Sequence, residues 1–179
     1  MDLEKVEERL EDEEEGSKWK KYFVMAGALF LILLMLSYSI ASFPIGEIII
    51  SLVNSEEIVD NKIVDDVVVN FEGETYQEVL NMYNENLAQE FKVCLLGDYD
   101  GEYNIKEVFF PKMHSQFFNK VVSEPCPNET LVSLHSHPYR HCIASEQDMS
   151  NLAGLKESNK NALIGIMCEE GRFNFYDEV

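Results

Sequence analysis

Residues 22–43 contain no charged side chain and are dominated by leucine, isoleucine, methionine, phenylalanine and alanine. As a helix, a run of this length rises about 33 Å, enough to cross a hydrocarbon core of about 30 Å. Trp19 and Tyr22 suit a membrane interface, where aromatic rings are enriched. The pattern predicts a single-pass transmembrane helix over residues 18–44, with Pro44 at its end. A cleaved signal peptide is the alternative, which the length of the run and the acidic segment before it disfavour.

Basic residues mark the N-terminal border of the apolar run. Lys18, Lys20 and Lys21 precede it, whereas the first basic residue after it is Lys62. Positive charge near a membrane tends to stay on the cytoplasmic side. We therefore expect a cytoplasmic N-terminus and a C-terminal domain outside.

The chain is strongly acidic. Asp and Glu number 33 against 14 Lys and Arg, which gives a formal net charge of −19 without a basic stripe. Such a surface repels nucleic acid backbones and anionic lipid, so we expect no nucleic acid partner and favour basic protein surfaces. The like charges at residues 11–15 predict a disordered acidic tail over residues 1–17. Leu3, Val6 and Leu10 have rough helical spacing, which leaves a docking helix as the alternative.

Downstream of the apolar run, the pattern predicts a linker and one folded domain. Residues 45–62 are interpreted as a juxtamembrane linker, because their apolar part is too short for a second span. Residues 63–179 combine short strands with two helices, which indicates an α/β or α+β layer around a single sheet. We expect strands at 63–71, 90–97, 103–111 and 130–134, and an irregular stretch with one possible short strand at 112–127. Helices are expected at 75–88 (capped by Thr75) and 145–157, and a final hairpin at 161–168 and 172–179.

Two histidines follow the strand at residues 130–134. His135 and His137 are two positions apart, so in an extended chain both rings point to the same face. Pro138 then ends the strand, since proline cannot donate a ladder hydrogen bond. Asp148 follows after a short loop. Two imidazoles and one carboxylate form a three-ligand set of the type that catalytic zinc uses, with a fourth position left open.

The H-x-H-P to S-x-x-D spacing from His135 to Asp148 closely resembles the signature of the JAMM (Jab/MPN, MPN-plus) zinc metalloprotease family, in its small archaeal or bacterial stand-alone form. That family also places a glutamate at the start of a buried strand that ends in glycine, and residues 89–97 look like this element, with Glu90 as the glutamate. The resemblance covers roughly residues 63–179. It implies a JAMM/cytidine-deaminase-like fold, a mixed central sheet flanked by two helices, here preceded by one transmembrane helix.

The resemblance also implies a role for each residue of the motif. His135, His137 and Asp148 would hold one zinc ion, with water as the fourth ligand. Glu90 would act as general base toward this water and then as general acid toward the leaving amine, and Ser145 would donate a hydrogen bond to the oxyanion. The family cleaves peptide or isopeptide bonds, often of ubiquitin-like protein conjugates. Such substrates are mostly cytosolic, which conflicts with an external domain.

Simpler interpretations of the same residues remain open. Ser145 and Asp148 fit a helix start, as N-cap and first-turn acid, and Glu90 fits a solvated acid at a strand edge. A metal set that includes His141 or Cys142 is a further alternative. For function, the alternatives are a catalytically inactive MPN-type binding scaffold and a zinc amidase that acts on small-molecule or cell-envelope substrates.

The four cysteines permit an oxidising compartment without requiring one. Cys142, on the loop after the histidines, and Cys168, in a later strand, are candidates for a disulfide that braces this loop. Cys94 fits a small core residue. Asn128 begins the sequon Asn-Glu-Thr, which would be available for glycosylation in an external domain.

Overall fold

The computed structural model describes residues 3–43, 45–138 and 141–177. The chain forms two compact units, Met1–Ile45 and Gly46–Val179. The first unit is helical and the second contains the sheet together with the histidine motif. The candidate site therefore belongs entirely to the second unit.

The first unit consists of one long helix, α1 (Leu3–Ser42). Its segment Lys18–Ser42 is long and apolar enough to cross a membrane, and its apolar side chains are exposed. The helix begins before the apolar run, so the acidic segment predicted as a disordered tail, residues 1–17, is helical from Leu3 onward. Glutamate is a good helix former, and an established helix extends more easily than a new one nucleates. Pro44, predicted to end the helix, lies outside the described residues.

The second unit includes most of the segment predicted as a linker, residues 45–62. This segment contains α2 (Ile45–Val53), β1 (Glu56–Glu57) and the first residue of β2 (Lys62–Val64). Ser51 of α2 is fully buried, and β1 pairs with a strand near the C-terminus. The segment is therefore folded onto the domain that follows it.

The remaining elements build a mixed sheet and a separate ribbon. In chain order they are β3 (Val68–Phe71), α3 (Thr75–Glu85), β4 (Lys92–Tyr99), β5 (Tyr103–Phe109), β6 (Met113–Phe117), β7 (Lys120–Ser123), β8 (Val132–Ser136), α4 (Glu146–Ser158), β9 (Leu163–Glu169) and β10 (Arg172–Tyr176). The large sheet has eight strands in the order β1-β10-β9-β8-β4-β5-β3-β2, and β6 pairs only with β7. The pairs β3–β5 and β8–β9 are parallel and the other pairs are antiparallel. The prediction of a mixed α/β domain around one large sheet is confirmed.

The large sheet buries a separate apolar cluster on each face. On one face, Val93, Leu95 and Leu134 belong to a core that includes side chains of α3. On the other face, Ile164 and Ile166 of β9 pack against α4. Because successive residues of a strand point to opposite faces, β9 contributes to both clusters, with Leu163 and Met167 in the first and Ile164 and Ile166 in the second. The two helices predicted for this domain therefore cover opposite sides of the sheet.

Some elements differ from the predicted ones. Residues 63–71, predicted as one strand, form β2 and β3, which pair antiparallel across an acidic turn. Residues 112–127, predicted as irregular with one possible short strand, contain two strands that form the β6–β7 ribbon. Gly97 does not end β4, which continues to Tyr99. Gly97 lies at a bulge, where an added Cβ would come within 1.9 Å of the Asn104 carbonyl oxygen. Glycine allows the neighbouring strand to approach this closely.

The two domain helices begin differently. Thr75 was predicted as the N-cap of α3, but Glu74 occupies that position and the Thr75 hydroxyl donates to the Glu72 carbonyl at 2.8 Å. The Thr75 hydroxyl therefore acts as a donor to a preceding turn and does not cap the helix. α3 ends at Glu85, before the predicted end. Ser145 is the N-cap of α4, as predicted.

Candidate metal centre

β8 brings two histidines to one face of the large sheet. It is a fully buried strand between β4 and β9. His135 lies within β8, and His137 follows it, with its N–H still donating to the Met167 carbonyl of β9 at 3.0 Å. The Nε2 atoms of the two rings are 3.0 Å apart, as the two-residue spacing predicts. Ser136 points away from them, and its hydroxyl accepts the Phe91 N–H at 3.0 Å.

Asp148 reaches the histidines from the first turn of α4. A capping box fixes this turn, since Ser145 Oγ accepts the Asp148 N–H at 3.2 Å and Asp148 Oδ2 accepts the Ser145 N–H at 2.8 Å. Asp148 Oδ1 lies 3.2 Å from His135 Nε2, and Oδ2 lies 3.9 Å from His137 Nε2. The helix-start interpretation of Ser145 and Asp148 is therefore confirmed, and it is compatible with a ligand role for Asp148.

The ligand atoms of His135, His137 and Asp148 all lie within 4.8 Å of one another. Neighbouring ligands of a tetrahedral ion with bonds of about 2.0–2.1 Å are roughly 3.3 Å apart. The separations of 3.0 Å between the two imidazole nitrogens and 3.2 Å between imidazole and carboxylate are close to this value. The group could hold a metal ion, and two imidazoles with one carboxylate form a donor set that suits zinc.

Hydrogen bonding prepares His137 for a ligand role. A carbonyl only accepts, so the 2.8 Å contact between His137 Nδ1 and the His141 carbonyl places the ring proton on Nδ1. Burial, together with the neighbouring His135 ring, lowers the pKa of His137 to about 4. The ring is therefore neutral at pH 7 with its Nε2 lone pair available, the form in which imidazole binds metals.

Ser145 and Asp148 are linked by a second contact. The exposed Ser145 hydroxyl donates to Asp148 Oδ2 at 2.6 Å. Burial alone would raise the pKa of Asp148, but hydrogen bonds from His135 and Ser145 outweigh it and hold this pKa well below its usual range. A hydroxyl has one hydrogen, and in this arrangement Ser145 donates it to the Asp148 carboxylate. Its role as an oxyanion donor stays a prediction.

Glu90 lies beside the histidines, two residues before the start of β4. The β6 strand holds its backbone, because the Glu90 N–H donates to the Phe117 carbonyl at 2.7 Å and Gln116 Nε2 donates to the Glu90 carbonyl at 3.0 Å. Its Oε1 lies 3.8 Å from His137 Nε2, and only 7% of the residue is exposed. Burial raises the pKa of Glu90 to about 7. Glu90 is therefore a buried carboxyl group next to the candidate ligands, rather than a solvated acid.

The loop after the histidines is held at Cys142. A disulfide joins this residue to Cys168 of β9, with a Cα separation of 5.1 Å, which confirms the predicted pair. The Cys142 N–H donates to the Ser51 hydroxyl of α2. Its carbonyl accepts hydrogen bonds from Asn174 Nδ2 at 3.1 Å and the Tyr176 hydroxyl at 2.9 Å. Cys142 is thus held by four residues from three elements: Cys168 of β9, Ser51 of α2, and Asn174 and Tyr176 of β10.

The alternative ligands His141 and Cys142 are placed differently. Among the described residues, neither belongs to the group that could hold a metal ion. Cys142 has no free thiol because it is disulfide-bonded. The His141 ring stacks on His137, with centroids 5.8 Å apart, and its carbonyl accepts the His137 ring N–H. His141 therefore orients a candidate ligand, His137, through its backbone.

A second disulfide joins Cys94 of β4 to Cys126, with a Cα separation of 5.7 Å. Cys94 is buried, as predicted, but its bond to Cys126 was not predicted. The sequence prediction paired Cys142 with Cys168 and assigned Cys94 to the core, so it left Cys126 without a partner. Both disulfides lie in the second unit. Together they pair all four cysteines of the chain.

The Cys142–Cys168 disulfide is expected to support metal binding through the loop. Replacing both cysteines with serine should lower the affinity for Zn²⁺ about tenfold, because the neighbouring His141 carbonyl orients His137 and loss of such outer contacts typically costs 10- to 100-fold. A competition titration against a chelating dye would measure the change.

The Cys94–Cys126 disulfide supplies the matched control. The sequence separations are 32 and 26 residues, so the chain-entropy model assigns both disulfides a similar stabilisation of about 3.6 kcal/mol. Serine at Cys94 and Cys126 should therefore lower the thermal stability by a similar amount and leave zinc affinity nearly unchanged. An equal loss of zinc affinity in both double variants would refute a specific role for the Cys142–Cys168 bond.

Several supporting residues were missed at the level of sequence. Ser51 lies in the predicted linker, Gln116 in the predicted irregular stretch, and Tyr176 in a strand to which no role was given. Residues 113–117 (Met-His-Ser-Gln-Phe) show no alternation of apolar and polar side chains that would indicate the β6 strand. Nothing local pairs Ser51 with Cys142, because that contact joins residues far apart in the chain.

Comparisons with known proteins do not add a family to this description. No model of a known protein family matches the chain, and no curated protein sequence matches it. The geometry of the candidate metal centre and the motif spacing are therefore the features of this chain that bear on its function.

Proposed function

We propose that this chain is a membrane-anchored, zinc-dependent metallopeptidase of the JAMM type that hydrolyses peptide or isopeptide bonds in protein substrates. The observation that carries this proposal is one cluster of four side chains. The ligand atoms of His135, His137 and Asp148 lie within 4.8 Å of one another, and the Glu90 carboxylate lies 3.8 Å from His137 Nε2. The H-x-H-P to S-x-x-D spacing and a mixed sheet with α3 and α4 on opposite faces support the same class.

In this proposal, each residue around the centre has a different role in hydrolysis. Zinc held by His135, His137 and Asp148 would supply a Lewis acid and lower the pKa of a bound water to about 7. Glu90 Oε1 is close enough to His137 to accept a proton from a water at the centre and return it to the leaving amine. The Ser145 hydroxyl would serve the oxyanion after turning its hydrogen away from Asp148.

Two features favour a substrate outside the cytosol. Paired cysteines are typical of oxidising compartments. The basic residues before the apolar helix also favour a cytoplasmic N-terminus and an external domain. Together they support an extracytosolic protein substrate more strongly than a cytosolic ubiquitin-like conjugate. They also favour the second candidate, a zinc amidase that acts on cell-envelope amides.

Hydrolysis assays with the full-length, zinc-loaded protein test the proposal. The panel contains quenched peptides, isopeptide-linked lysine peptides, a ubiquitin-like conjugate and short acylated amines. Cleavage of peptides or isopeptides that is lost on chelation and restored by zinc supports a metallopeptidase. Cleavage of the short acylated amines alone would favour the amidase. No cleavage at full zinc occupancy would favour the inactive scaffold.

The sequon at Asn128 provides an internal reporter of orientation. Asn128 is exposed in a turn. If the domain is external, insertion into glycosylating microsomes should add one glycan that an endoglycosidase removes, and Asn128→Gln should abolish it. Added protease should then digest α1 only on the opposite side of the membrane. A domain without glycan in the wild-type protein, digested together with the cytosolic tail, would contradict the external placement.

A further inference from the structure

Lys92 occupies a position in register with a candidate metal ligand. It is the first residue of β4, and its Cα partner on the neighbouring antiparallel strand is His135. Directly opposed residues of an antiparallel pair project to the same face, with Cβ atoms about 4.5–5.5 Å apart. The Lys92 side chain therefore emerges beside His135, on the face of the sheet where the candidate metal centre lies.

The face around Lys92 is only partly covered. α4 packs on Ile164 and Ile166 of β9, on the far side of β8 from β4. Lys92 itself is half-buried, and the Asp148 carboxylate is the charged group that acts on it electrostatically. Burial lowers the pKa of Lys92, whereas the charge of Asp148 raises it. Lys92 therefore lies within electrostatic reach of Asp148 and remains partly exposed.

No described carboxylate forms an ion pair with Lys92. The other lysines in strands of the large sheet are paired, Lys62 with Glu102 and Lys106 with Asp98. The ion pairs of the described residues include none to Lys92, even though the chain carries a net charge of −19. A half-buried cation without an ion-pair partner has given up part of its hydration, so an incoming anion is a favourable partner for it.

We propose that Lys92 is a specificity-determining residue that binds a carboxylate of the substrate next to the bond to be cleaved. This inference rests on the proposed peptidase function and adds a substrate class to it. The carboxylate has two possible sources, the C-terminal α-carboxylate of a peptide or an Asp or Glu side chain near the scissile bond. The acidic surface repels anionic substrates in general, so one cation at the centre makes recognition of a single carboxylate position selective.

Binding to three matched peptides tests this assignment. The three peptides share one sequence apart from one internal position and the C-terminus. The first has an internal glutamine and a free C-terminal carboxylate, and the second has the same glutamine and a C-terminal amide. The third has glutamate in place of the glutamine and a C-terminal amide. Calorimetric titrations use full-length protein that carries Glu90→Gln, so that no peptide is consumed. The variants Lys92→Met and Lys92→Arg are compared with Lys106→Met, which removes an exposed lysine on the neighbouring strand β5.

We expect one of the two carboxylate peptides to bind about tenfold more tightly than the neutral peptide, as is typical for a desolvated charge pair. Lys92→Met should remove this preference, Lys92→Arg should keep most of it, and Lys106→Met should leave it unchanged. The peptide that shows the preference identifies the source of the carboxylate.

Three results would overturn the assignment. The first is equal binding of all three peptides, and the second is a carboxylate preference that survives in Lys92→Met. The third is a Lys92→Met protein, with Glu90 intact, whose kcat falls while its affinities for the peptides stay constant. The last result would indicate oxyanion stabilisation instead. Zinc content is measured on the same samples, and the titrations are repeated on metal-free protein. A chain without zinc would refute the proposed peptidase, whereas the carboxylate preference is judged separately from the peptide comparison.

Discussion

Glu90→Gln is expected to lower kcat for peptide-bond hydrolysis by about 10²–10⁴-fold, the usual contribution of general acid–base catalysis. The reason is that glutamine keeps the size of the side chain but cannot accept a proton from water at the centre. Glu90 is 7% exposed, and its backbone is held by the Phe117 carbonyl and the Gln116 amide, so the substitution leaves its position unchanged. Single-turnover kinetics on zinc-loaded protein would measure the effect on the chemical step.

Two controls make the Glu90 result specific. Zinc content should stay equal to that of the wild-type protein, because Glu90 Oε1 lies 3.8 Å from His137 Nε2 and is not one of the three candidate ligands. Gln89→Glu tests whether any change of charge next to the site has the same effect, and it should leave kcat within a few-fold of the wild-type value. Full activity in Glu90→Gln would show that another group moves the proton.

Asp148→Asn is expected to lower zinc affinity by more than about 100-fold. Loss of an outer-sphere partner alone typically costs 10- to 100-fold, and this change removes the only carboxylate of the candidate ligand set. Asparagine keeps a side-chain oxygen that can accept the Ser145 N–H, so the start of α4 should be largely preserved. Competition titration for zinc and thermal unfolding of the metal-free protein would separate the two contributions.

Glu146→Gln is the matched control for the aspartate. Glu146 is an exposed acid in the same first turn of α4, so its replacement removes the same charge from the same helix terminus. It should lower the stability by only a few tenths of a kcal/mol and leave zinc affinity unchanged. If both variants lost zinc affinity equally, the effect would come from the charge at the helix start, and Asp148 would not be a ligand.

Local patterns predicted the parts of the site that local geometry determines. The two-residue spacing of His135 and His137 predicts rings on one face, and their Nε2 atoms are 3.0 Å apart. Ser145 and Asp148 fit a helix start, and they form a capping box. The disulfide of Cys142 and Cys168 was also anticipated, since one lies on the loop and the other on a nearby strand.

The remaining features depend on contacts between distant parts of the chain. The burial of Ser51 follows from its contact with the loop at Cys142, and no periodicity within α2 indicates that partner. The buried state of Glu90 depends on the β6 strand, whose residues were predicted as irregular. Lys92 gains its position from its register with His135, which becomes visible only when β4 and β8 are paired.

The zinc content of purified full-length protein tests the central claim most directly. After dialysis against a weak chelator, elemental analysis should find close to one zinc per chain in the wild-type protein and almost none in Asp148→Asn. Thermal unfolding of the same samples would establish that both are folded. Folded wild-type protein that retains no zinc, or an Asp148→Asn variant that retains as much as the wild type, would contradict the account.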